Sequence, residues 1–191
     1  MSEADRQRWN GRYQEQTGAS EPSRFLKALS DRLPVTGRAL DVAGGPGHDA
    51  LWLATRGLDV TLVDISDVAL ERAASAAREA GVLLRVERVD LEEAPLPRGP
   101  YQLVICLNFL WRPLFDAVPR VLAPGGLFVF AQPTRSNLQR NPHPSARFLL
   151  EDGELPQLVR GLEVVSCTEG WTEEGRHEAR LVATRRLTSD P

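Results

Sequence analysis

Apolar residues in this chain of 191 residues form two kinds of segment, short continuous runs and longer stretches with helical spacing. The runs are typical of buried strands and the spaced stretches of amphipathic helices. Strands are predicted near residues 39–42, 59–63, 84–89, 102–107 and 126–131. Helices are predicted near residues 21–32, 47–56, 67–80 and 112–122. This alternation favours a parallel sheet with helices on both faces.

The C-terminal part of the chain follows a different pattern. A helix is predicted near 153–160, and strands are predicted near 162–169 and 177–186 with a turn at 173–175 between them. We expect a hairpin whose final strand runs antiparallel to the sheet. The expected fold class is therefore α/β, Rossmann-like and doubly wound, with a mostly parallel seven-stranded sheet and an antiparallel last strand.

A glycine turn follows the first predicted strand, in the sequence Asp41-Val-Ala-Gly-Gly-Pro-Gly47. Glycine lets the backbone turn tightly and approach a ligand, and the first N–H groups of the next helix face that ligand. Gly45-x-Gly47-x-x-Ala50 also fits the dinucleotide pattern, so the glycines alone are a weak signal. Asp41 would repel a pyrophosphate but can accept a hydrogen bond from an amino group. The turn therefore favours a cationic ligand.

Two more acids end the second and third predicted strands. Asp64 closes an apolar run, where a carboxylate can accept hydrogen bonds from both hydroxyls of a ribose. Asp90 ends the alternating run 84–91, in position to accept from an exocyclic amine such as that of adenine. Three acids at successive strand ends, downstream of a glycine turn, indicate a nucleoside-containing ligand.

From about residue 38 to residue 131 the chain resembles the class I S-adenosylmethionine-dependent methyltransferases. The family pattern acid-x-Gly-x-Gly-x-Gly appears as the segment Asp41–Gly47, with Ala43 in place of the first glycine. The segment Val121–Phe130 is similar to the family's Pro-Gly-Gly turn before the fifth strand. The resemblance implies S-adenosylmethionine as the cofactor and S-adenosylhomocysteine as the product.

The resemblance also implies which residues hold the cofactor. The backbone at Gly45 and Gly47 would hold the methionine part, Asp64 the ribose, and Asp90 with Leu91 the adenine. The expected cofactor contacts are Asp41, Ala43, Gly44, Gly45, Gly47, Asp64, Ile65, Asp90, Leu91, Cys106, Trp9, Arg12 and Tyr13.

The flanking segments Trp9–Tyr13, Leu110–Phe115 and Phe148–Leu155 resemble, more loosely, the small tellurite-resistance and thiopurine-type methyltransferases. Trp9 and Tyr13 are four residues apart on a possible helix, so they share a face. That face could close over the cofactor, where an aromatic ring attracts a sulfonium. Core packing of the same pair is the alternative.

Composition and charge limit the remaining possibilities. A net charge of −3 gives no global field that recruits nucleic acid or an anionic membrane. No run approaches the roughly 20 apolar residues of a membrane helix, and the N-terminus is polar, so we expect a cytoplasmic protein. The two cysteines, Cys106 and Cys167, lie in apolar runs without metal-ligand spacing, which predicts reduced thiols and no metal site.

The length suits one domain. We expect a helical lid or cap over residues 1–36, a cofactor-binding core over 37–131, and an acceptor-side loop with the hairpin over 132–191. Residues 132–147 form the longest stretch without a regular pattern and follow the end of the fifth strand, where open α/β sheets bind ligands. We interpret them as part of a lid, the alternative being a surface excursion. The partner is a small-molecule acceptor, and the protein is expected to be a monomer or a homodimer.

The expected mouth of the site has arginines but no carboxylate–histidine pair. These arginines are Arg12, Arg24, Arg112, Arg135, Arg140 and Arg147. Singly each suits a surface charge, whereas several together suit an oxyanion or a carboxylate. His143 is a better candidate for a catalytic base than His48 or than His177, which is expected on an edge strand. Arg112, after the fourth strand, is the other weak catalytic candidate.

Methyl transfer needs a base only when the acceptor must lose a proton. The sequence therefore favours a soft or already ionised acceptor, such as tellurite, selenite or a thiol. Two other functions stay open. One is an NAD(P)-dependent oxidoreductase, which usually needs a second lobe that one domain does not offer. The other is a non-catalytic S-adenosylmethionine-binding module that acts on a protein partner.

Overall fold

The computed structural model describes residues 3–15 and 21–187. Residues 1–2, 16–20 and 188–191 lie outside the described residues, so the expected cap over 1–36 and the expected C-terminal part over 132–191 are covered only in part. No helix of the described ranges is long and apolar enough to cross a bilayer.

The described residues form one seven-stranded sheet. Its strands are β1 (Arg38–Val42), β2 (Asp59–Asp64), β3 (Leu84–Arg88), β4 (Tyr101–Leu107), β5 (Leu122–Pro133), β6 (Glu163–Trp171) and β7 (His177–Thr184). The spatial order is β3-β2-β1-β4-β5-β7-β6. β7 is antiparallel to β5 and β6, while the other pairs are parallel. The predicted fold class is confirmed, and the strand order reverses between β1 and β4, where such sheets bind ligands.

Six α-helices of residues 3–15 and 21–187 accompany the sheet. They are α1 (Glu3–Glu15), α2 (Arg24–Ala28), α3 (His48–Thr55), α4 (Asp67–Ala80), α5 (Leu114–Val121) and α6 (Leu155–Leu158). The helix predicted over 21–32 is split: α2 begins after Ser23, whose side chain caps Leu26 N–H, and a short 3₁₀ turn follows at Ser30–Arg32. Pro22 thus precedes the cap instead of occupying the first turn.

Apolar side chains of the strands pack on both faces of the sheet. On β4, Leu103 and Ile105 belong to the cluster that also contains residues of α2, α3 and α4. Val104 and Cys106 belong to the opposite cluster, with α5, α6 and the phenylalanines of β5. This alternation follows from the period of two along a strand. Both faces are therefore covered, and the ligand-binding edge is formed by the strand ends.

β5 is longer than the strand predicted over 126–131. It begins at Leu122 because that residue pairs with Tyr101, and the register then shifts so that Leu127 pairs with Leu103. The Pro-Gly-Gly segment is the irregularity inside this strand, not a turn before it. Gly126 is needed there, since a Cβ would lie 2.7 Å from the carbonyl oxygen of Tyr101.

The segment 132–147 is more ordered than its sequence predicts. Residues 132 and 133 continue β5, a 3₁₀ helix spans Arg135–Gln139, and Thr134 forms a bridge with Leu150. Buried Asn137 accepts a hydrogen bond from the backbone of His177 (3.1 Å) and donates one to the carbonyl of His143 (3.1 Å). His177 itself begins β7, an internal strand and not the edge strand that the sequence predicts; the edge strands are β3 and β6.

Helix α1 lies outside both core clusters and has no buried residue. Polar contacts hold it against the start of α4: Arg6 forms an ion pair with Asp67, and Asn10 Oδ1 accepts hydrogen bonds from Ser66 Oγ (2.6 Å) and Val68 N (3.4 Å). The helix therefore rests on the molecule as a separate surface element.

Candidate cofactor and acceptor site

Asp41 is a buried carboxylate at the end of β1. It is 3% exposed, and burial, followed by the carboxylates of Asp49 and Asp64, raises its pKa well above the ordinary 3.8. Its Oδ2 atom has no hydrogen-bond partner within the described part of the chain. A buried acceptor without a partner costs stability, so a ligand donor at this atom would be favourable. The site fits a ligand ammonium group.

Gly44 allows the turn to lie directly over this carboxylate. A Cβ at position 44 would be 2.4 Å from Asp41 Oδ2. The backbone at Gly44 also takes no positive φ, so the absence of a side chain, not an unusual conformation, is what this position requires. The turn thus keeps Asp41 accessible to the cavity, which both residues line.

Asp64 ends β2 beside the same turn. Its Oδ2 accepts the backbone N–H of Gly45 (2.9 Å) and its Oδ1 accepts that of Ser66 (2.8 Å). Burial raises its pKa although these hydrogen bonds act in the opposite direction. A carboxylate has about four acceptor positions, and the backbone N–H groups of Gly45, Ser66 and Ile65 act on this one, so at least one position remains for a ribose hydroxyl. Asp64 faces a small cavity of about 40 Å³ that Ile65 also lines.

Ala43 occupies a left-handed backbone conformation, with φ of 56°. An L-residue in this region is disfavoured by about 1–2 kcal/mol relative to the right-handed region. Ala43 lies where the family pattern has a glycine, and it lines both the small cavity and a larger one of about 470 Å³. The strain is therefore located at the predicted cofactor contact.

Helix α1 covers the glycine turn. Trp9 and Tyr13 stack with ring centroids 5.7 Å apart, and both line the small cavity beside Asp64. The Tyr13 hydroxyl oxygen is 2.7 Å from the position that a Cβ of Gly45 would occupy. Tyr13 is half-buried against the turn, and this partial burial raises its pKa, with the carboxylate of Asp64 acting in the same direction. The structure thus brings the predicted aromatic pair to the predicted turn.

A third cavity, of about 710 Å³, adjoins the 470 Å³ cavity. Its charged lining consists of Arg8, Arg12, Arg147 and Arg176, with His143 beside them. Its apolar lining includes Trp9, Tyr13, Pro133, Pro144 and Phe148. Tyr13, Asn108 and Arg176 line this cavity and the 470 Å³ cavity as well. The two cavities therefore meet at these three residues.

Some predicted cofactor contacts have side chains that point elsewhere. Leu91 and Cys106 are fully buried in the core, where Cys106 Sγ lies 3.5 Å from the carbonyl oxygen of Phe109. Asp90 lies in the turn after β3 and accepts a hydrogen bond from Glu92 N (3.0 Å). Gly47, with φ of 80°, is fixed by packing, because a Cβ would be 2.8 Å from that of Ala73. Cofactor contact at these positions stays a prediction.

Most of the arginines expected at the mouth have other partners. The sequence suggests Arg112 as a residue that could act on the acceptor. In the structure, its guanidinium donates to both carboxylate oxygens of Glu154 (2.5 and 2.8 Å). The other diverted arginines and their partners are Arg135 with Glu151 (2.9 Å), Arg24 with Glu174 (3.5 Å) and Arg140 over the ring of Trp171 (3.9 Å). Arg12 and Arg147 do line the 710 Å³ cavity.

Sequence reasoning missed Arg8 and Arg176 in this cavity. Arg8 carries a local signal, because it lies one helical turn before Arg12 on the same face of α1. Arg176 follows the tight turn of the hairpin and reaches back to donate to Asn108 Oδ1 (2.5 Å), a contact across 68 positions. No local sequence pattern indicates this contact between Arg176 and Asn108.

The three histidines lie in different surroundings. His143 is exposed and lines the 710 Å³ cavity. His48, at the start of α3, lines the 470 Å³ cavity, and partial burial lowers its pKa. His177 Nδ1 is 2.7 Å from Thr134 Oγ1, away from both cavities. Of the three histidines, His143 is thus the one that lines the 710 Å³ cavity together with the arginines.

Asp152, Glu169 and His177 bring three possible metal-ligand atoms within 4.8 Å of one another. Their hydrogen bonds account for this cluster. Asp152 accepts from Ser136 N (3.0 Å), and Glu169 accepts from Gly153 N (3.0 Å). The cluster therefore ties the segment after β5 to the hairpin.

Residues 39–126 match the family model of a methyltransferase domain. The matched segment is therefore a methyltransferase domain, and the sheet around it has the class I S-adenosylmethionine-dependent methyltransferase fold. The family implies S-adenosylmethionine as the cofactor, with S-adenosylhomocysteine as its product. Among relatives, the chain is 30% identical over 157 residues to an S-adenosyl-L-methionine-dependent Diels-Alderase, iccD, of Talaromyces variabilis, covering 76% of this chain and 50% of that one.

The chain is also similar to proteins with other activities. It is 32% identical over 127 residues to a ubiquinone biosynthesis O-methyltransferase of Marinobacter nauticus, covering 61% of this chain and 51% of the relative. The chain thus spans about half the length of these curated relatives. The crystal structure of TehB from Haemophilus influenzae superposes with a TM-score of 0.75 at 15% identity, covering 93% of this chain and 67% of that one, which shows the fold alone.

Proposed function

We propose that this protein transfers a methyl group from S-adenosylmethionine to a small, anionic or soft acceptor. The observation that carries the proposal is the partnerless Oδ2 of buried Asp41 beside a turn that a side chain at Gly44 would block. An ammonium group is the natural partner of such an atom, and the cofactor's methionine part has one. Residues 37–131 would hold the cofactor, and residues 1–36 and 132–191 would enclose the acceptor.

The cofactor, when bound, supplies an electrophilic methyl group on a sulfonium that is already a good leaving group. The protein's residues then have to bind, orient and exclude water. Asp41 would accept from the amino group and Asp64 from the ribose hydroxyls. Trp9 and Tyr13 on α1 would cover the bound cofactor and present aromatic rings to its cationic centre. This arrangement requires no covalent intermediate on the protein.

The arginines of the 710 Å³ cavity support an anionic acceptor. Such an acceptor has a free electron pair and needs no base, so tellurite, selenite and thiols are candidates. The fold likeness to TehB is compatible with the first of these. For an acceptor that must lose a proton, His143 is the proposed base, because it lines the same cavity.

An NAD(P)-dependent oxidoreductase is not favoured. Asp41 would repel the pyrophosphate of a dinucleotide at the turn where such a cofactor places it. A non-catalytic S-adenosylmethionine-binding module would keep the same cofactor site but turn nothing over. The two functions therefore differ in turnover, not in cofactor binding.

The experiment that tests the proposal is release of S-adenosylhomocysteine from S-adenosylmethionine in the presence of tellurite, selenite, thiols, thiopurines, aromatic acids and small amines. We expect acceptor-dependent release that the Gly44→Ala variant lacks. Cofactor binding without release for any acceptor would favour the non-catalytic module.

A further inference from the structure

The 710 Å³ cavity combines positive charge with flat apolar walls. We infer that, within the anionic and soft acceptors proposed above, the methyl acceptor is an organic anion with a flat, apolar body, an aromatic or conjugated carboxylate, which narrows that class and excludes tellurite and selenite. This inference rests on the proposed function, whose acceptor it specifies. It follows from the charge of the cavity, from its apolar surface and size, and from its junction with the cofactor cavity.

The charge of the cavity is positive and partly uncompensated. Its lining contains four arginines and no carboxylate. Arg8 pairs with Asp5 (2.6 Å), and Arg176 lies 3.9 Å from Glu178. Arg12 and Arg147, in contrast, form no ion pair with a carboxylate of residues 3–15 or 21–187.

The two uncompensated guanidinium groups lie on different walls. Arg12 belongs to α1, and its guanidinium carbon is 5.2 Å from the ring centre of Trp9. Arg147 belongs to the segment after β5, and its guanidinium carbon is 4.4 Å from the ring centre of Phe148. A guanidinium stacked on a ring keeps its edge N–H donors free for a planar anion such as a carboxylate. A carboxylate between the walls would bridge them.

The apolar surface of the cavity predicts a flat hydrocarbon body. Trp9 and Tyr13 stack with 25° between their planes, and Phe148 and two prolines line the same space. Aromatic faces favour an offset-stacked ring. Cavities of about 300–1,000 Å³ suit organic ligands of drug size. A selenite or tellurite ion would leave most of this cavity, including its apolar walls, in contact with water.

The junction between the cavities orients the acceptor. Tyr13, Asn108 and Arg176 line both the arginine-rich cavity and the cavity over the glycine turn, and the Arg176 guanidinium there already donates to Asn108 and lies 3.9 Å from Glu178. The reacting atom of the acceptor must lie at this junction to meet the cofactor. Its anionic group is then held by Arg12 and Arg147, which line the arginine-rich cavity but not the cavity over the glycine turn. The substrate class is therefore an aromatic acid whose nucleophilic atom is a different group from its carboxylate.

The test uses three probes that separate charge from shape. Protein saturated with S-adenosylhomocysteine is titrated with 2-naphthoate, with the neutral 2-naphthalenemethanol and with selenite in a calorimeter. We expect 2-naphthoate to bind at least about 10-fold more tightly than either other probe. Equal affinity for the neutral alcohol would remove the role of charge, and tighter binding of selenite would remove the role of the flat body; either result overturns the inference.

Matched variants locate the binding. Arg12→Gln and Arg147→Gln should each weaken 2-naphthoate about 5–20-fold and leave 2-naphthalenemethanol unchanged. Arg135→Gln is the control, since Arg135 pairs with Glu151 outside the cavity. An equal loss in the control, or no loss in either cavity variant, contradicts the inference. Arg147→Glu should also reverse the preference toward the cationic 2-naphthylmethylamine, a gain that unfolding cannot imitate.

Failure of this inference is distinguishable from failure of the proposed function. Binding of S-adenosylhomocysteine is measured first, on the wild type and on each variant. If it does not bind to the wild type, the proposed function fails, and 2-naphthoate is then titrated against the free protein. If it binds and 2-naphthoate does not, only the acceptor class is wrong.

Discussion

Gly45 donates its backbone N–H to Asp64 Oδ2 across 2.9 Å, which joins the turn after β1 to the acid that ends β2. The neighbouring Gly44 N–H also donates to the carbonyl oxygen of Val63 on β2 (3.2 Å). Because β1 and β2 are adjacent and parallel, their ends meet at one edge of the sheet. The methionine and ribose positions proposed for the cofactor are therefore parts of one hydrogen-bonded unit.

Asp64→Ala should weaken S-adenosylhomocysteine binding by about 1.5–3 kcal/mol, the scale for loss of a charge-assisted hydrogen bond. It should also lower stability, because the N–H groups of Gly45 and Ser66 lose their acceptor. Calorimetry measures the first effect and thermal melting the second. Asp59→Ala is the control, at the exposed opposite end of β2. Unchanged affinity in a folded Asp64→Ala protein would rule out the ribose assignment.

Gly44→Ala and Gly47→Ala should separate ligand binding from folding. A Cβ at Gly44 meets the carboxylate of Asp41, so we expect more than a roughly 10-fold loss of cofactor affinity. A Cβ at Gly47 meets Ala73 and sits at a φ of 80°, so we expect a loss of unfolding free energy of about 1–3 kcal/mol. Titration and chemical denaturation of both variants check this. If Gly44→Ala lost unfolding free energy but kept its cofactor affinity, Gly44 would have a structural role and not a binding role.

Features that depend on neighbouring residues could be predicted from the sequence, whereas contacts between distant residues could not. Helix α4 was predicted at its observed bounds, because Ser66 caps one end and Gly81 ends the other. The glycine turn and the acids of β1 and β2 were likewise readable from adjacent residues. The order of the segment after β5 could not be predicted in this way. It depends on the hydrogen bond from His177 N to Asn137 Oδ1, which joins residues 40 positions apart.

The ion-pair partners of charged residues could not be predicted from the sequence either. Arg112 and Glu154 are 42 positions apart, and their pairing depends on how α6 is placed beside α5. An arginine in a sequence shows its charge but not which carboxylate compensates it. For this reason the sequence could suggest that Arg12 and Arg147 line a cavity, as they do, but not that Arg112 is paired with Glu154.

Cofactor binding should be linked to proton release from Asp41. Its pKa lies above the ordinary 3.8 in the free protein, mainly through burial, and an ammonium partner would lower it again. Between the lowered pKa of the complex and the raised pKa of the free protein, binding should therefore release a proton and strengthen as pH rises. Calorimetry in buffers of different ionisation enthalpy measures the release. The Asp41→Asn variant should release fewer protons on cofactor binding than the wild type. An unchanged proton release would assign the release to Asp49 or Asp64.

The same raised pKa has a consequence for stability. An acid whose pKa is higher in the folded than in the unfolded protein stabilises the fold fully below pH 3.8, and that contribution is lost as pH rises through the folded pKa. Asp41→Asn should therefore increase the unfolding free energy of the ligand-free protein at neutral pH. Denaturant unfolding at several pH values checks this. A less stable variant at neutral pH would contradict the burial argument.

Helix α1 should behave as a lid. It has no buried residue and is held by polar contacts such as that of Asn10 with Ser66, so its amides should exchange faster than those of β4 in the free protein. Cofactor and acceptor together should slow this exchange. Hydrogen exchange read by mass spectrometry measures both. Protection of α1 equal to that of β4 without ligand would mean that the helix is a fixed wall.

The central claim is that S-adenosylmethionine binds over the turn between Asp41 and Asp64. Titration calorimetry of the purified protein with S-adenosylhomocysteine, and separately with NAD⁺ and NADP⁺, tests it most directly. We predict one site for S-adenosylhomocysteine, strongly weakened in Gly44→Ala, and no heat of binding for either dinucleotide. Binding of a dinucleotide without binding of S-adenosylhomocysteine would contradict the account.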